Sequence, residues 1–270
     1  MTKIMAALVR ENNLTHGVYA EPFAGGCGLA LNLLFGGHVS EIHVNDIDPA
    51  IWSFWHSVLH HTDELIEKIE AVEVTMEEWR CQKEVFKASH HKDPVSLGFS
   101  AFFLNRTNRS GIIQGAGVIG GVEQKGNYKI DCRFNKSDLI AKIKRIAKYG
   151  NRIHLTRMDA VEFIPHLNDR IPDRSLVCID PPYFNKGSSL YTSFYRPEDH
   201  RELAAAIQQL TKPWVVTYDN VDEINALYDD QRRYGFDVNY SVQTKRVATE
   251  LFVASDELVV PLEIEERQLA

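Results

Sequence analysis

Leu176-Val177-Cys178-Ile179-Asp180-Pro181-Pro182-Tyr183 is a run of buried-strand character that ends in an acidic, proline-stiffened corner. Consecutive apolar residues are what a strand covered on both faces requires, and such strands belong to parallel sheets flanked by helices. In open sheets of that kind, ligands bind beyond the carboxyl ends of the strands. Each proline fixes φ and lacks an N–H, so Pro181 and Pro182 cannot extend a ladder. The corner therefore gathers a carboxylate (Asp180), a backbone carbonyl (Pro181) and an aromatic ring (Tyr183). Two acceptors and a stacking face suit a flat base with an exocyclic amine. Asp180 and the Pro181 carbonyl can each take one amine hydrogen while Tyr183 covers the ring. The tetrapeptide points to amine methylation and leaves the substrate open. Read more plainly, it is a strand-to-loop turn with Tyr183 on the core.

Upstream, Val18-Tyr19-Ala20-Glu21 reads as a strand feeding the turn Pro22-Phe23-Ala24-Gly25-Gly26-Cys27-Gly28. An apolar helix, Leu29–Phe35, follows and stops at Gly36-Gly37. Glycines in such a turn let backbone approach a ligand where a Cβ would collide. A second strand, Glu41–Val44, ends in Asn45-Asp46-Ile47-Asp48. An acidic residue after the second strand of a βαβ unit stands where ribose hydroxyls bind. Asp46 and the glycine turn thus read as half of a nucleoside-cofactor site, although Asp46 also suits a helix N-cap ahead of Pro49.

The middle of the chain has a different character. The 270 residues carry a net charge of −7, yet residues 80–152 hold 15 Lys/Arg against 5 Asp/Glu, a local +10 that leaves −17 for the rest. Such asymmetry fits one segment facing a polyanion. Residues 51–75 are expected as one helix burying Val58, Leu59, Leu65, Ile66, Ile69 and Val72. Thr75 and Glu78 open the next helix, which carries Trp79 and Phe86, and Asp93-Pro94 opens a third. Asn105, Arg106, Asn108, Arg109, Ser110 and Gln114 then precede a glycine-rich run from Gly115 to Gly121. Forked polar side chains beside a flexible hairpin are what groove contacts use; a plain glycine-rich surface loop is the other reading. A basic helix, Ser137–Tyr149, closes the segment. His60-His61 and His90-His91 are adjacent pairs, which point apart on a helix, so no metal site is expected.

The α/β rhythm resumes with a strand at Ile153–Thr156, ending near Asp159, whose carboxylate can reach an adenine amine of a cofactor. A helix Pro197–Leu210 and a strand Trp214–Tyr218 come after the acidic corner. An antiparallel pair, Val238–Gln243 and Leu251–Ala254, closes the sheet, with Lys245-Arg246 at its turn as a phosphate contact. The tail after Pro261 is expected to be loosely held. The four cysteines lack CxxC spacing, which argues against a zinc site or a disulfide framework. No run approaches the roughly 18 apolar residues of a membrane span, and no charged-then-apolar leader opens the chain. A cytoplasmic location is expected.

In this order the motifs resemble those of the Dam-type adenine-specific DNA methyltransferases. The resemblance spans nearly the whole chain, through Glu21–Gly28, Asn45-Asp46, Phe102-Phe103-Leu104-Asn105-Arg106-Thr107, Asp180–Tyr183 and Lys245-Arg246. It implies a Rossmann-like seven-strand α/β methyltransferase fold with an inserted, mainly helical target-recognition domain. The expected division is a catalytic domain over 1–55 and 150–270 and a recognition domain over 56–149. It implies S-adenosylmethionine as methyl donor, held by Glu21, Pro22, Phe23, Ala24, Gly25, Gly28, Asp46, Ile47, Asp159 and Ala160. It implies transfer to the 6-amino group of an adenine flipped from duplex DNA, with Asp180 to Tyr183 as the catalytic corner. DNA contacts are expected from Asn105, Arg106, Asn108, Arg109, Ser110, Gln114, Lys125, Lys245 and Arg246. A monomer or weak dimer in a bacterial cell or phage-infected host, with or without a cognate restriction endonuclease, completes the expectation.

Two departures stand out. Family members usually carry Pro-Gly-Gly-Lys or a similar motif that ends about where this chain begins with Met1-Thr2-Lys3, so one wall of the cofactor pocket is expected to be missing. That leaves a catalytically impaired DNA-binding module as an alternative. GATC-specific members have arginine where Gln114 stands; arginine reads guanine and glutamine reads adenine, so a different short site is expected. An RNA or protein-glutamine methyltransferase shares the chemistry, but those families more often show Asn-Pro-Pro-Tyr and lack a basic insertion.

Overall fold

The computed structural model describes residues 1–88, 93–184, 195–240 and 246–269, with the side chains of 236–240, 246–249, 263 and 265 outside that description. The chain divides into two compact units: Met1–Ile47 with Arg152–Ala270, and Asp48–Asn151.

The first unit is built on strands β1 (Val18–Glu21), β2 (Glu41–Asn45), β3 (Ile153–Thr156), β4 (Ser175–Ile179), β5 (Trp214–Asp219), β6 (Arg232–Tyr240) and β7 (Arg246–Ala254). They form a seven-stranded sheet in the order β3-β2-β1-β4-β5-β7-β6. β1 to β5 are parallel, whereas β7 runs antiparallel to both β5 and β6. Because β2 and β4 flank β1 on opposite sides, the strand order reverses there, which makes the carboxyl ends of β1 and β4 the topological switch point.

In chain order the longer helices are α1 (Thr2–Glu11), α2 (Gly28–Phe35), α3 (Pro49–His60), α4 (Thr62–Ala71), α5 (Met76–Ala88), α6 (Pro94–Thr107), α7 (Lys136–Ala147), α8 (Ala160–Arg170) and α9 (Pro197–Gln208). One face of the sheet buries Val18, Ala20, Val177 and Ile179 against Phe163, Ile164 and Leu167 of α8 and Leu203 and Ile207 of α9. Fully burying each large apolar side chain of this kind contributes about 1.5–3 kcal/mol. In the second unit α6 lies close on α3, and the approach depends on Gly98: a Cβ there would come within 2.6 Å of the Ser53 carbonyl oxygen.

Several expectations change. The helix over 51–75 is two helices, broken at His61 (φ −134°, ψ 40°). Thr62 Oγ1 turns back onto the Val58 carbonyl, and Asp63 and Glu64 favour a fresh N-terminus. A unit boundary at 55/56 would cut α3, so the division falls before Asp48, whose side chain caps α3 by accepting from Ala50 and Ile51. The sixth strand starts at Arg232, well before Val238, and includes Gly235, which masked its pattern. The tail is held: Leu262–Glu265 is a helical turn, Gln268 bridges to Tyr234, and the Leu269 N–H donates to the Arg233 carbonyl. Groups on the outer edge of β6 thereby find partners. Among the described residues no helix is long and apolar enough to cross a membrane.

Candidate active site and nucleic-acid surface

Asn45, fully buried at the end of β2, ties three loops together. Its Nδ2 donates to the carbonyls of Pro22 (3.1 Å) and Met158 (3.0 Å), and its Oδ1 accepts from Thr156 Oγ1 and the Met158 N–H (each 2.9 Å). Asp46 Oδ2 accepts the Gly25 N–H at 2.9 Å. The N-cap of α2 is Cys27, with φ +52° and no side-chain cap. Glu21 supplies the missing acceptor: its Oε1 takes the Ala30 N–H and the Tyr19 hydroxyl, each at 3.1 Å. Burial, with the charge of Asp180 adding to it, raises the Glu21 pKa to about 8.

The turn held in this way faces open space. A Cβ built on Gly25, Gly26 or Gly28 meets nothing within 4 Å, and Gly25 has φ +45°, which favours glycine. Pro22 and Ala24 are buried, while half-buried Phe23 stands edge-on to Tyr195 with ring centroids 6.0 Å apart. Beside Tyr195 lies a cavity of about 400 Å³, lined by Ile47 and Val161 and by the carboxylates of Asp159, Glu162 and Asp199. Ile47 is 42% exposed and offers an apolar face. Asp159 is half-committed, because its Oδ1 caps α8 by accepting the Val161 N–H at 2.9 Å. Ala160 is buried and can offer only backbone. Apolar faces, an acidic rim, a carboxylate just after β2 and a glycine turn open to solvent fit a nucleoside that carries a sulfonium.

The acidic corner lies at the carboxyl end of β4, a strand buried throughout. Asp180 itself is exposed. Thr217 Oγ1 donates to Asp180 Oδ1 at 2.7 Å, and Asp219 Oδ1 accepts the Phe184 N–H at 2.9 Å. β5 thus clamps both ends of the Asp180–Phe184 segment. Glu250 of β7, buried and in register with Asp219, projects its charge onto Asp180. Surrounding protein desolvates the Asp180 carboxyl although solvent still touches it. That desolvation raises its pKa to about 6; Thr217 pulls the value down and Glu250 pushes it up. Pro181 and Pro182 are buried and Tyr183 is half-buried. Cys178 is buried, and burial pushes its thiol far up, as suits a packing residue.

In the second unit the expected DNA contacts separate into two groups. Asn108, 1% exposed, accepts from Trp79 Nε1 at 2.8 Å and donates to the carbonyls of Ile112 and Ile113. It holds the loop and is too buried to read a base. Asn105 donates to the Gly111 carbonyl and Arg106 Nε to the Arg133 carbonyl, so both also brace the loop. Arg109, Ser110, Gln114 and Lys125 are exposed, Lys125 pairing with Glu123 at 2.6 Å. Tyr128, at 73% exposure, and Val122, at 67%, stand on the same glycine-rich loop. Lys245 lies outside the described residues, as does the side chain of Arg246, which begins β7.

The sequence reading missed Thr217, Asp219, Glu250, Tyr195 and Tyr128. The first two left a signal, polar residues two apart at the carboxyl end of an apolar strand. Tyr195 left none, since nothing local ties it to Phe23.

The model of a family described as D12 class N6 adenine-specific DNA methyltransferase matches residues 3–243. A comparison with curated proteins finds no match. Among solved structures the chain is similar to a provisionally described RNA methyltransferase from Pyrococcus horikoshii (9% identity, TM-score 0.43, covering 93% of this chain and 80% of that one). It is also similar to a precorrin-6y C5,15-methyltransferase from Geobacter metallireducens (11% identity, TM-score 0.37, covering 94% and 87%).

Proposed function

The chain belongs to the D12 class of N6 adenine-specific DNA methyltransferases, and from that premise we propose how its residues divide the work. The enzyme transfers a methyl group from S-adenosylmethionine to the 6-amino group of adenine in DNA. When bound, the cofactor supplies an electrophilic methyl on its sulfonium. Gly25, Gly26 and Gly28 would cradle it, Asp46 would take its ribose, and Ile47 and Tyr195 would flank its adenine. Glu21 acts through the turn, by holding the start of α2.

Adenine's amine is a poor nucleophile because its lone pair is delocalised into the ring. Asp180 and the Pro181 carbonyl, which no strand ladder uses, accept the two amine hydrogens and localise that pair on nitrogen. The target leaves the duplex at a cost of a few kcal/mol, and stacking on Tyr183 offsets about 1–3 kcal/mol of it. The unit of residues 48–151 recognises the DNA: Arg109, Ser110, Gln114, Lys125 and the exposed ring of Tyr128 face it, while Asn105, Arg106 and Asn108 keep their loop in shape. Gln114 supports a target other than GATC. The enzyme works as a monomer or weak dimer on duplex DNA in the cytoplasm of a bacterial or phage-infected cell, beside a cognate restriction endonuclease or without one.

The observation that carries this reading is an accessible carboxyl at the end of β4 with one oxygen fixed by Thr217. The test is incubation of unmethylated DNA with labelled donor and base-resolution mapping, for the native chain and Asp180→Ala. The native chain should mark one short adenine site. The variant should lose transfer while still retaining DNA and donor. Surviving transfer in the variant overturns the catalytic assignment, and GATC as the mapped site overturns the reading of Gln114.

A further inference from the structure

Away from the switch point, the outer edge of the sheet carries a cluster that the methyl-transfer reading does not use. Glu41 and His43 are two apart on β2 and so share a face of the sheet. His154 of β3 is the registered partner of His43. The two imidazoles stack with centroids 4.4 Å apart and an interplanar angle of 28°. His154 Nε2 lies 2.8 Å from Glu41 Oε2, and one ligand atom from each of the three residues lies within 4.8 Å of the other two. His154 and Glu41 are exposed enough for an ion to enter from solvent, and His43 is half-buried beneath them.

We infer that Glu41, His43 and His154 form a binding site for a borderline divalent transition metal of the zinc class. Two imidazoles and a carboxylate are the donor set such ions take, whereas calcium and magnesium require all-oxygen shells. A tetrahedral ion with bonds of about 2.0–2.1 Å draws its ligands closer than the present upper separation, a change that rotation of the exposed His154 ring and Glu41 carboxylate can supply. A simple Glu41–His154 ion pair explains two of the residues, and at this exposure contributes at most about 1 kcal/mol. It leaves unexplained why a second imidazole stands in register on the same spot. The positive charge of Arg170 reaches His43 and weakens the site without removing a donor.

The site's consequence is mechanical. His43 and His154 precede Asn45 and Thr156 by two residues on the same strands, and Thr156 Oγ1 donates to Asn45 Oδ1. A metal would brace the β2–β3 pair just below the clamp that holds the loops of Pro22 and Met158. Binding to the folded chain alone raises thermal stability with metal concentration.

The experiment uses the full chain stripped with chelator, titrated with Zn²⁺ in a thermal-unfolding assay and with Co²⁺ by visible absorption. A second group of histidines, His56, His60 and His61, sits together on and just after α3 and serves as the control. One equivalent of metal should raise the melting temperature and produce cobalt d–d bands. Both effects should weaken at least tenfold in His154→Ala and in Glu41→Gln and persist in the His60→Ala/His61→Ala double variant. No shift in the native chain, a shift undiminished in His154→Ala, or a shift lost in the double variant each overturns the assignment. Metal-free melting temperatures of all variants separate misfolding from loss of the site.

Discussion

Thr217 on β5 donates its hydroxyl to Asp180 across 2.7 Å, from 37 residues further along the chain. The bond engages one Asp180 oxygen, the proposed mechanism assigns the other to the substrate amine, and the bond opposes the desolvation that raises the carboxyl's pKa. In the proposed mechanism β5 therefore acts through Asp180, by fixing one of its oxygens.

Replacing Thr217 by valine keeps the shape and removes the hydroxyl. A hydrogen bond to a charged group is worth about 1.5–3 kcal/mol, so kcat should fall about 10–100-fold with little change in KM for DNA. The pH at which activity half-appears should move upward, because Thr217 lowers the Asp180 pKa. Thr217→Ser should restore both values. An unshifted pH profile in the valine variant would count against the positioning role.

In the proposed mechanism the ionised form of Asp180 is the acceptor. With its pKa raised to about 6, single-turnover methylation should rise with pH through about 6 and level off above it. Asp180→Asn keeps an acceptor oxygen but no titrating group, and any activity it retains should be flat through that range. A native profile already flat between pH 5 and 7 would contradict the assignment of this group.

Glu21 carries a folded-state pKa of about 8, well above that of an unfolded glutamate. The folded chain therefore holds a proton there that the unfolded chain releases. The associated stability is fully present below about pH 4.3 and is lost as pH rises through about 8. Glu21→Gln keeps an acceptor for Ala30 and Tyr19 without the charge, so its melting temperature should fall less steeply between pH 5 and 8. The difference should amount to roughly 2–4 °C per kcal/mol of relieved desolvation. Equal slopes for the two proteins would refute this.

Asn108 and Gln114 should behave oppositely although both are amides of one loop. Asn108→Ala strands the buried Trp79 Nε1 and should destabilise the chain by about 1–3 kcal/mol, read by denaturant unfolding. Gln114→Ala should leave unfolding unchanged and relax base preference at one position of the mapped site. A loss of about 1–3 kcal/mol is expected if glutamine makes a bidentate contact to adenine.

Much of the fold was legible because its signals are local. The apolar run ahead of Asp180, the glycine turn after Glu21 and the acid following β2 each lie within a few residues and report a strand, a turn and the end of a second strand by composition alone. Helix lengths were less legible. The break at His61 interrupts an apolar pattern that reads as continuous, since Leu65, Ile66 and Ile69 keep their helical spacing across it. The loop amides were indistinguishable in sequence, because whether an asparagine faces base or backbone depends on its burial.

What the sequence determined by itself was the order of the motifs, the charge division and the acidic corner, all products of neighbouring residues whose geometry the backbone dictates. Only the tertiary structure decided who stands beside that corner. The β3-β2-β1-β4-β5-β7-β6 order places β5 against β4 and β7 against β5, bringing Thr217 and Glu250 to a carboxylate far away in the chain and Asp219 to the Phe184 N–H beyond it. The Asp180 pKa depends on those neighbours and on burial, and both exist only once the strands have packed.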